Sequence, residues 1–387
     1  MYIIALETDP SSSLGGKHLS LFEVCQELAK RGHHIILIYL RTGDLLEEYQ
    51  KFCVNLIHIE EWRIDRQHPI TSSIKFLKTI TAVSCLLKIP SYRNSLIYFD
   101  NYLWSPFAIA LSYLKRIPSV FHIRLALGEK IIFHKQDTYA ISKINRFIAI
   151  SNHTLKTWSH TLNLSPSKIQ VIYNGTNTEK FKPITNYQSL RKQWKIPPGT
   201  RVISYIGRLD PEKGIETLLK ACALAIVKFK IPLKIFLAGI PVAHRTEKDK
   251  QQYQLNLQKL IKDLKLQNNV KILGHVKTTS ILYQLSDLTI LPSIYPEPFG
   301  RSIIESMACG TPVIASNIGG IPEILGSDFE DQMFQPGDEE ELSLKINAFI
   351  NWRDRQKYLG EKSRKCIIEK FTLDNTIDRI EQLLLKI

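Results

Sequence analysis

The chain has 387 residues, 44% of them hydrophobic, and 51 basic against 37 acidic residues give it a formal net charge of +14. This length exceeds one ordinary hydrophobic core and predicts two domains of roughly 150 to 200 residues each. No run of about 18 uncharged apolar residues occurs, and no basic segment precedes an apolar one at the N-terminus, so neither a spanning helix nor a secretory signal is predicted. The six cysteines form no Cys-x-x-Cys pair, which favours free, buried thiols in a cytoplasmic protein over disulfides or a zinc site.

Short apolar strands alternate with helical segments along the whole chain, which predicts an α/β protein with two doubly wound, Rossmann-like domains. The strands predicted in the first half are Tyr2–Leu6, Ile35–Tyr39, Val54–His58, Leu96–Phe99, Val120–Ile123, Phe147–Ile150 and Val171–Tyr173. Those predicted in the second half are Val202–Ile206, Leu233–Leu237, Val270–Leu273, Leu288–Leu291 and Val313–Ala315. Residues 176–200, rich in Lys, Asn and Pro, are predicted to be the linker, and the last predicted helix, Thr376–Leu385, is amphipathic.

The longest acid-free stretch runs from Arg66 to Phe99 and has two interpretations. At helical spacing its apolar residues share one arc and its cations lie off that arc or flank it: Phe76, Leu77, Ile80, Val83 and Leu87 against Lys75, Lys78, Lys88, Arg66 and Arg93. A basic amphipathic helix of this kind can attach to an anionic membrane surface. The same pattern fits a helix whose apolar face lies in the core of an α/β domain, and both interpretations stay open.

Two cations follow the first strand of the second half. Arg208 comes directly after Val202–Ile206, and Lys213 comes one short turn later. Both are suited to contacts with phosphate oxygens. The alternative is a pair of surface ion pairs with Asp210 and Glu212.

The segment Glu297 to Glu305, EPFGRSIIE, places two carboxylates around a Pro-Phe-Gly turn between a short buried strand and a helix. The backbone N–H groups of Gly300, Arg301 and Ser302 would begin that helix, where a diphosphate can bind. Glu297 could accept hydrogen bonds from sugar hydroxyls, and Glu305 from ribose hydroxyls. The alternative is an ordinary helix N-terminus with surface acids.

Residues 297–325 strongly resemble the donor-site signature of family 4 retaining glycosyltransferases of the GT-B fold. Further segments are similar to motifs of that family in the family's order: 147–151, 171–175 with Phe181 and Pro183, and 204–214. The resemblance implies an acceptor-binding domain over 1–183, a donor-binding domain over 184–370 facing it across a central cleft, and a helix over 371–387 that returns to the first domain.

By the same resemblance, the catalytic residues are His122, Arg208, Lys213 and Glu297. The donor-binding set is Gly15, Gly16, Gly207, Arg208, Lys213, His275, Val276, Glu297, Phe299, Gly300, Arg301, Ser302 and Glu305. His122 ends a predicted strand, although a lone histidine among apolar residues is also a common core residue. The glycine pair, for which a flexible turn is the alternative, leads into Lys17 and His18. The family often has an acid soon after the histidine, whereas this chain has Ile123 and Arg124.

The expected function is metal-independent transfer of a hexose, with retention, from a nucleotide-diphosphate sugar to a hydroxyl of a glycan or lipid-linked acceptor in cell-envelope, polysaccharide or glycolipid biosynthesis. No Asp-x-Asp triplet of the metal-dependent type occurs, and neither a cofactor nor a metal is expected. The alternatives are a sugar-nucleotide epimerase or a phosphorylase of the same fold, and a nonenzymatic basic binding protein. No nucleic-acid-binding motif is present, so a nucleic-acid partner is not expected.

Overall fold

The computed structural model describes residues 1–60, 63, 65, 67–89, 94–127, 133–241 and 246–387. The chain divides into two compact units, one formed by Met1–Tyr173 with Ile377–Ile387 and the other by Asn174–Thr376. No helix in these ranges is long and apolar enough to cross a membrane.

The first unit is built on a seven-stranded parallel sheet in the order β3-β2-β1-β4-β5-β6-β7. Its strands are β1 Tyr2–Glu7, β2 His34–Tyr39, β3 Cys53–His58, β4 Ser95–Phe99, β5 Ser119–Ile123, β6 Arg146–Ala149 and β7 Ile169–Val171. Its helices are α1 Gly16–Lys30, α2 Leu46–Gln50, α3 Pro69–Leu86, α4 Ser105–Lys115, α5 Lys135–Ser142 and α6 Asn152–Leu162. The central strands are apolar and buried along nearly their whole length because helices cover both faces of a parallel sheet.

The second unit is built on a six-stranded parallel sheet in the order β10-β9-β8-β11-β12-β13. Its strands are β8 Arg201–Ile206, β9 Leu233–Ala238, β10 Val270–Gly274, β11 Leu288–Leu291, β12 Val313–Ser316 and β13 Met333–Phe334. Its helices are α7 Tyr187–Gln193, α8 Ile215–Phe229, α9 Glu247–Asp263, α10 Ser280–Leu285, α11 Arg301–Ala308, α12 Ile321–Leu325, α13 Glu339–Phe349, α14 Trp352–Arg355 and α15 Tyr358–Lys370. The last helix, α16 Leu373–Leu384, begins in this unit, and its remainder belongs to the first.

The predicted fold class is confirmed, and three local predictions are wrong. The strand predicted over Val171–Tyr173 lies two residues earlier, at β7. Strand β13 was missed because two residues are too short to show a period of two. The predicted linker contains helix α7, which places Leu190 in an apolar cluster and is capped by the Asn186 side chain.

Helix α3 decides between the two interpretations of the arc predicted in the acid-free stretch. Ile80, Val83 and Leu87 are buried in the core of the first unit, and Phe76 packs against that core. The arc is therefore mainly the core-facing side of an ordinary α/β helix, although Leu77 lies outside it and is exposed. The flanking Arg66 and Arg93 lie outside the described residues.

All six cysteines are free, as expected. Cys25, Cys222, Cys309 and Cys366 are buried, Cys53 is half-buried, and Cys85 is exposed. The prediction of free thiols is thus confirmed, and the expectation of burial is wrong for Cys85.

Candidate active site

Two loops of the second unit meet where its strand order reverses. Strands β8 and β11 are neighbours, and the chain continues from them towards opposite edges of the sheet. The Ile294 N–H in the loop after β11 donates to the Glu212 carbonyl in the loop after β8, at 3.0 Å. Gly214 has φ +64°, and a Cβ atom there would lie 2.0 Å from the Pro292 carbonyl oxygen, so only glycine allows this approach. In open α/β sheets this reversal point is where ligands bind.

This approach brings Lys213 and Glu297 together. Lys213 Nζ donates to Glu297 Oε1, and the Ser293 hydroxyl donates to the same oxygen at 2.5 Å. Burial by itself would raise the pKa of the Glu297 carboxyl, but Lys213, Ser293 and Arg208 together hold that pKa below its usual value. Glu297 is therefore an ionised carboxylate in a residue that is only 7% exposed.

Arg208 lies beside this pair and keeps part of its guanidinium accessible. Its Nη1 is 3.9 Å from Asp210 Oδ2, a distance too long for a hydrogen bond, and its side chain is 29% exposed. The Tyr205 hydroxyl donates to the Arg208 carbonyl at 2.5 Å and fixes the backbone at the strand end. The surface pairing of Lys213 with Asp210 or Glu212 is not observed, since its carboxylate partner is Glu297.

Helix α11 begins at the predicted turn. Gly300 precedes it with φ +124° and, as a glycine, supplies no side-chain cap to its first amides. Glu305, one turn inside, accepts hydrogen bonds from Arg301 Nε at 2.6 Å and from the Tyr283 hydroxyl at 2.9 Å. Each carboxylate oxygen accepts more than one hydrogen bond, so these contacts orient Glu305 without exhausting it.

Other predicted donor residues of the second unit lie in different surroundings. The Phe299 ring is buried, with its centroid 5.8 Å from that of Phe371, so this side chain anchors the turn from inside the core. His275 is exposed, and Val276 packs against the apolar cluster beneath its loop. Gly207 follows β8 directly, and its N–H donates to Ala238, the last residue of β9.

Four residues that support this site escaped the sequence analysis. Ser293 and Tyr205 orient Glu297 and Arg208 as described above. Gly239, with φ +151°, would place a Cβ atom 1.8 Å from the Gly207 carbonyl oxygen, and Gly319, with φ +64°, would place one 2.3 Å from the Glu297 carbonyl oxygen. The glycines gave a usable signal, since each follows a predicted strand; the hydroxyl groups gave none.

In the first unit a row of polar residues crosses the carboxyl ends of β1, β4 and β5. Leu6 pairs with Phe99 and Phe99 with Phe121, so the next residues in the row are Glu7, Asp100 and His122. All three are buried. The row lies at the reversal point of the first sheet, between β1 and β4.

His122 is fixed by two side chains. The Tyr98 hydroxyl and Arg124 Nη2 both contact its Nδ1, the latter at 3.1 Å. Burial and the adjacent Arg124 charge hold the pKa of His122 well below its usual value, so the ring is neutral. Its Nε2 has no hydrogen-bond partner among the described residues. With Nδ1 accepting, Nε2 carries the proton.

The glycine pair leads into two cationic side chains held by buried acids. Gly15 has φ +110°, and Gly16 begins α1. Lys17 Nζ lies 3.6 Å from Asp100 Oδ1, and His18 Nδ1 lies 3.1 Å from Glu7 Oε1. Burial opposes protonation of His18, but the Glu7 carboxylate raises its pKa above the usual value.

Arg124 stands where the family often has an acid, and the acid nearby comes from the next strand. Its Nε lies 3.7 Å from Asp100 Oδ2. Within the described ranges no group of three or more His, Cys, Asp or Glu residues could hold a metal ion.

Comparison with known proteins gives two family matches. Residues 14–180 match the model of Glycosyltransferase Family 4, and residues 186–366 match that of Glycosyl transferases group 1. The two Rossmann-like units have the architecture of the GT-B fold. The two matches together span most of the chain. The chain belongs to glycosyltransferase family 4.

Relatives and solved structures agree with this assignment. An uncharacterised glycosyltransferase of Methanocaldococcus jannaschii is 24% identical over 95% of this chain and 93% of its own length. The N-acetyl-alpha-D-glucosaminyl L-malate synthase of Bacillus anthracis is 24% identical over 96% of this chain and 94% of its own. The crystal structure of Anabaena HepE in complex with UDP and glucose has a TM-score of 0.83, at 23% identity over 99% of both chains.

Proposed function

We propose that this glycosyltransferase transfers a hexose, with retention and without a metal, from a nucleotide-diphosphate sugar to a hydroxyl of a glycan or lipid-linked acceptor in cell-envelope, polysaccharide or glycolipid biosynthesis. The observation that carries the proposal is the contact of Lys213 with the buried, ionised Glu297, with Arg208 alongside. Cations at the reversal point of a parallel sheet suit a leaving diphosphate, and a buried carboxylate suits the hydroxyls of a sugar.

The chemistry requires the bond between the sugar C1 and the phosphate oxygen to break as negative charge gathers on the diphosphate. Arg208, Lys213 and the first amides of α11 would stabilise that charge. Glu297 would position the transferred sugar through its hydroxyls. The neutral His122 would hydrogen-bond to a sugar hydroxyl through Nε2, the role that the family resemblance implies. The acceptor hydroxyl would lose its proton to a donor phosphate oxygen.

The first donor to test is a UDP-sugar. HepE was crystallised with UDP-glucose as well as with UDP and glucose, and another relative is named as a UDP-Gal-dependent galactosyltransferase. These names support a uridine nucleotide here, and GDP- and ADP-sugars provide the comparison.

The proposal is tested by a thermal-shift panel of these nucleotide sugars and their diphosphates without added metal, followed by a transfer assay with and without EDTA. A selective shift is expected because a ligand stabilises the folded state in proportion to its affinity. Product analysis by NMR should show the anomeric configuration of the donor. Donor turnover without a hydroxyl acceptor would point to an epimerase, dependence on inorganic phosphate to a phosphorylase, and binding without turnover to a nonenzymatic protein.

The double variant Lys213→Ala/Glu297→Ala should abolish transfer and keep the fold. Lys250→Ala/Glu247→Ala is a matched control, because it removes an exposed ion pair of the same type within α9. Unchanged transfer in the first variant would refute the site assignment.

Attachment to an anionic membrane surface is also proposed, through an exposed face of α3 that shares only Leu77 with the predicted arc. Ile70, Ile74 and Leu77 follow each other at helical spacing and are 76%, 51% and 65% exposed. Lys75 and Lys78 are exposed on the same helix. Exposed apolar side chains beside cations suit the boundary between acyl chains and anionic headgroups.

Flotation with phosphatidylglycerol vesicles tests this attachment. Ile74→Glu/Leu77→Glu should reduce flotation, whereas Val227→Glu/Leu255→Glu, which changes exposed apolar residues of α8 and α9, should leave it unchanged. Absence of salt-sensitive flotation of the parent protein would refute the attachment.

A further inference from the structure

A cavity of about 390 Å³ in the first unit is lined by four cations. They are Arg146, Lys168, Arg379 and Lys386, and polar side chains such as Ser167 and Gln382 complete the wall. None of the described residues that line it is acidic. The volume is within the range of roughly 300–1,000 Å³ that small-molecule sites occupy.

Three of these cations are held in place by neutral groups. Arg146 Nη1 donates to the Asn145 carbonyl at 3.0 Å, Lys168 Nζ to the Ile144 carbonyl at 3.3 Å, and Arg379 Nη2 to the Val171 carbonyl at 2.8 Å. A carbonyl oxygen orients a cation without cancelling its charge. The cavity therefore keeps four positive charges whose mutual repulsion a multivalent anion would relieve.

Helix α16 directs its acidic side chains away from the cavity and its basic side chain towards it. Its acids Asp378 and Glu381 pair with Arg31 and His33 of the same unit, each at 2.6 Å. Its residues Arg379 and Gln382 line the cavity instead, together with Lys386 just after the helix. The acids nearest in sequence to the cavity cations are thus engaged elsewhere.

The cavity lies at the amino ends of strands in the first sheet, whereas the row that contains His122 lies at carboxyl ends. Arg146 is the first residue of β6, and Lys168 directly precedes β7, so both lie at the amino ends of their strands. His122 and the glycine pair lie at or after carboxyl ends. A ligand in the cavity would not compete with substrate at the candidate active site.

We infer that this cavity is a second ligand site that binds phosphate groups, supplied either by a free polyphosphate anion or by the headgroup of an anionic lipid. Lysine and arginine contact phosphate oxygens as a point charge and a planar fork respectively, and both are present. Since β6, β7 and α16 all contribute side chains, a bound phosphate would also hold the C-terminal segment more firmly against the first unit.

Hydrogen exchange on the full chain tests this site because it reports where a ligand acts. The two probes are sodium pyrophosphate and vesicles of phosphatidylglycerol in phosphatidylcholine, with pure phosphatidylcholine vesicles as the blank. Slower exchange over residues 166–172 and 377–387 with pyrophosphate would support a free phosphate ligand, and slower exchange with the anionic vesicles alone would support a lipid headgroup. No slowing of these segments with either probe would overturn the inference. Pyrophosphate bound at the candidate active site would instead protect residues around Lys213 and α11.

Variants separate the site from general attraction to a basic protein. Lys168→Ala/Lys386→Ala removes two of the four cations, so the ligand concentration that gives half-maximal protection should rise about tenfold. Lys168→Arg/Lys386→Arg keeps the charges and should leave that concentration unchanged. The control Lys259→Ala/Lys262→Ala removes the same charge from exposed positions of α9. Equal weakening in the test and control variants would also overturn the inference. Sugar transfer and donor-induced thermal shifts should be unchanged in all of these variants, so failure here is distinct from failure of the proposed function.

Discussion

Replacing Lys213 by methionine keeps most of the side-chain volume and removes the cation that faces Glu297. The Lys213 and Glu297 side chains are 18% and 9% exposed, so the carboxylate left behind is almost fully desolvated. Breaking a buried pair costs roughly 3–5 kcal/mol, and Lys213 is partly hydrated. The Ser293 hydrogen bond also remains. We therefore expect the free energy of unfolding at pH 7 to fall by about 2 kcal/mol.

The loss should depend on pH with a defined sign. In the parent protein the pKa of Glu297 lies below its reference value of 4.5, so this group stabilises the fold above pH 4.5, and that contribution is lost as pH falls through the folded-state pKa. Without Lys213 the effect of burial dominates, and the pKa should rise above 4.5. The carboxyl group of the variant then favours folding at low pH and opposes it as pH rises. The stability difference should be large at pH 7 and shrink below pH 4.5.

Urea unfolding of parent and variant between pH 4 and pH 7.5 measures this difference. Adding Glu297→Gln to Lys213→Met removes the stranded charge and should recover part of the stability at pH 7. Lys250→Ala, which breaks an exposed pair, should cost about 0.5 kcal/mol or less. A difference that is constant across this pH range, or a double variant less stable than Lys213→Met, would refute the reasoning.

Two further predictions concern the supports of the two units. Gly319→Ala places a Cβ atom 2.3 Å from the Glu297 carbonyl oxygen and should lower the free energy of unfolding by about 2–3 kcal/mol in the same urea assay. The control is Gly274→Ala, which has a similar positive φ but nothing within 4 Å of the added Cβ atom. It should cost about 1 kcal/mol. The hydrogen bond from His33 lowers the pKa of Glu381, and this outweighs the opposing effect of burial. The parent should therefore lose about 0.5 kcal/mol of its free energy of unfolding as pH falls below 4.5, and Glu381→Gln should lack this contribution at every pH. Parallel profiles of unfolding free energy against pH for parent and variant would refute this.

The fold was predictable because its signal is local. Strands such as β1 and β8 are apolar over nearly their full length, since both faces of a parallel sheet are covered. Arg208, Lys213 and Glu297 could be placed at strand ends for the same reason. Helix α7 was missed because its short pattern includes Tyr187, Gln188 and Ser189, which are typical of loops as much as of helices.

The contacts of the site were not predictable, because they join residues far apart in the chain. Lys213 and Glu297 are 84 positions apart, and Tyr98 and His122 are 24 apart. Whether an acid pairs with a neighbour in sequence or across two loops depends on strand order, which periodicity does not report. The buried position of Phe299 was hidden similarly, since its partner Phe371 follows α15.

These protonation states locate the group that can govern activity near neutral pH. Glu297 is ionised above pH 4.5, and His122 stays neutral down to well below pH 6.5, so neither changes charge between pH 6.5 and 8. His18 loses its charge above pH 6.5, because burial lowers its pKa but the Glu7 carboxylate more than offsets this and raises the pKa above its usual value. Its cationic form is fully present at low pH and is lost as pH rises through the raised pKa. A change in kcat/KM across this range should therefore disappear in His18→Gln and persist in the control variant His160→Gln, which alters an exposed histidine of α6. A profile that is unchanged in His18→Gln would show that another group titrates.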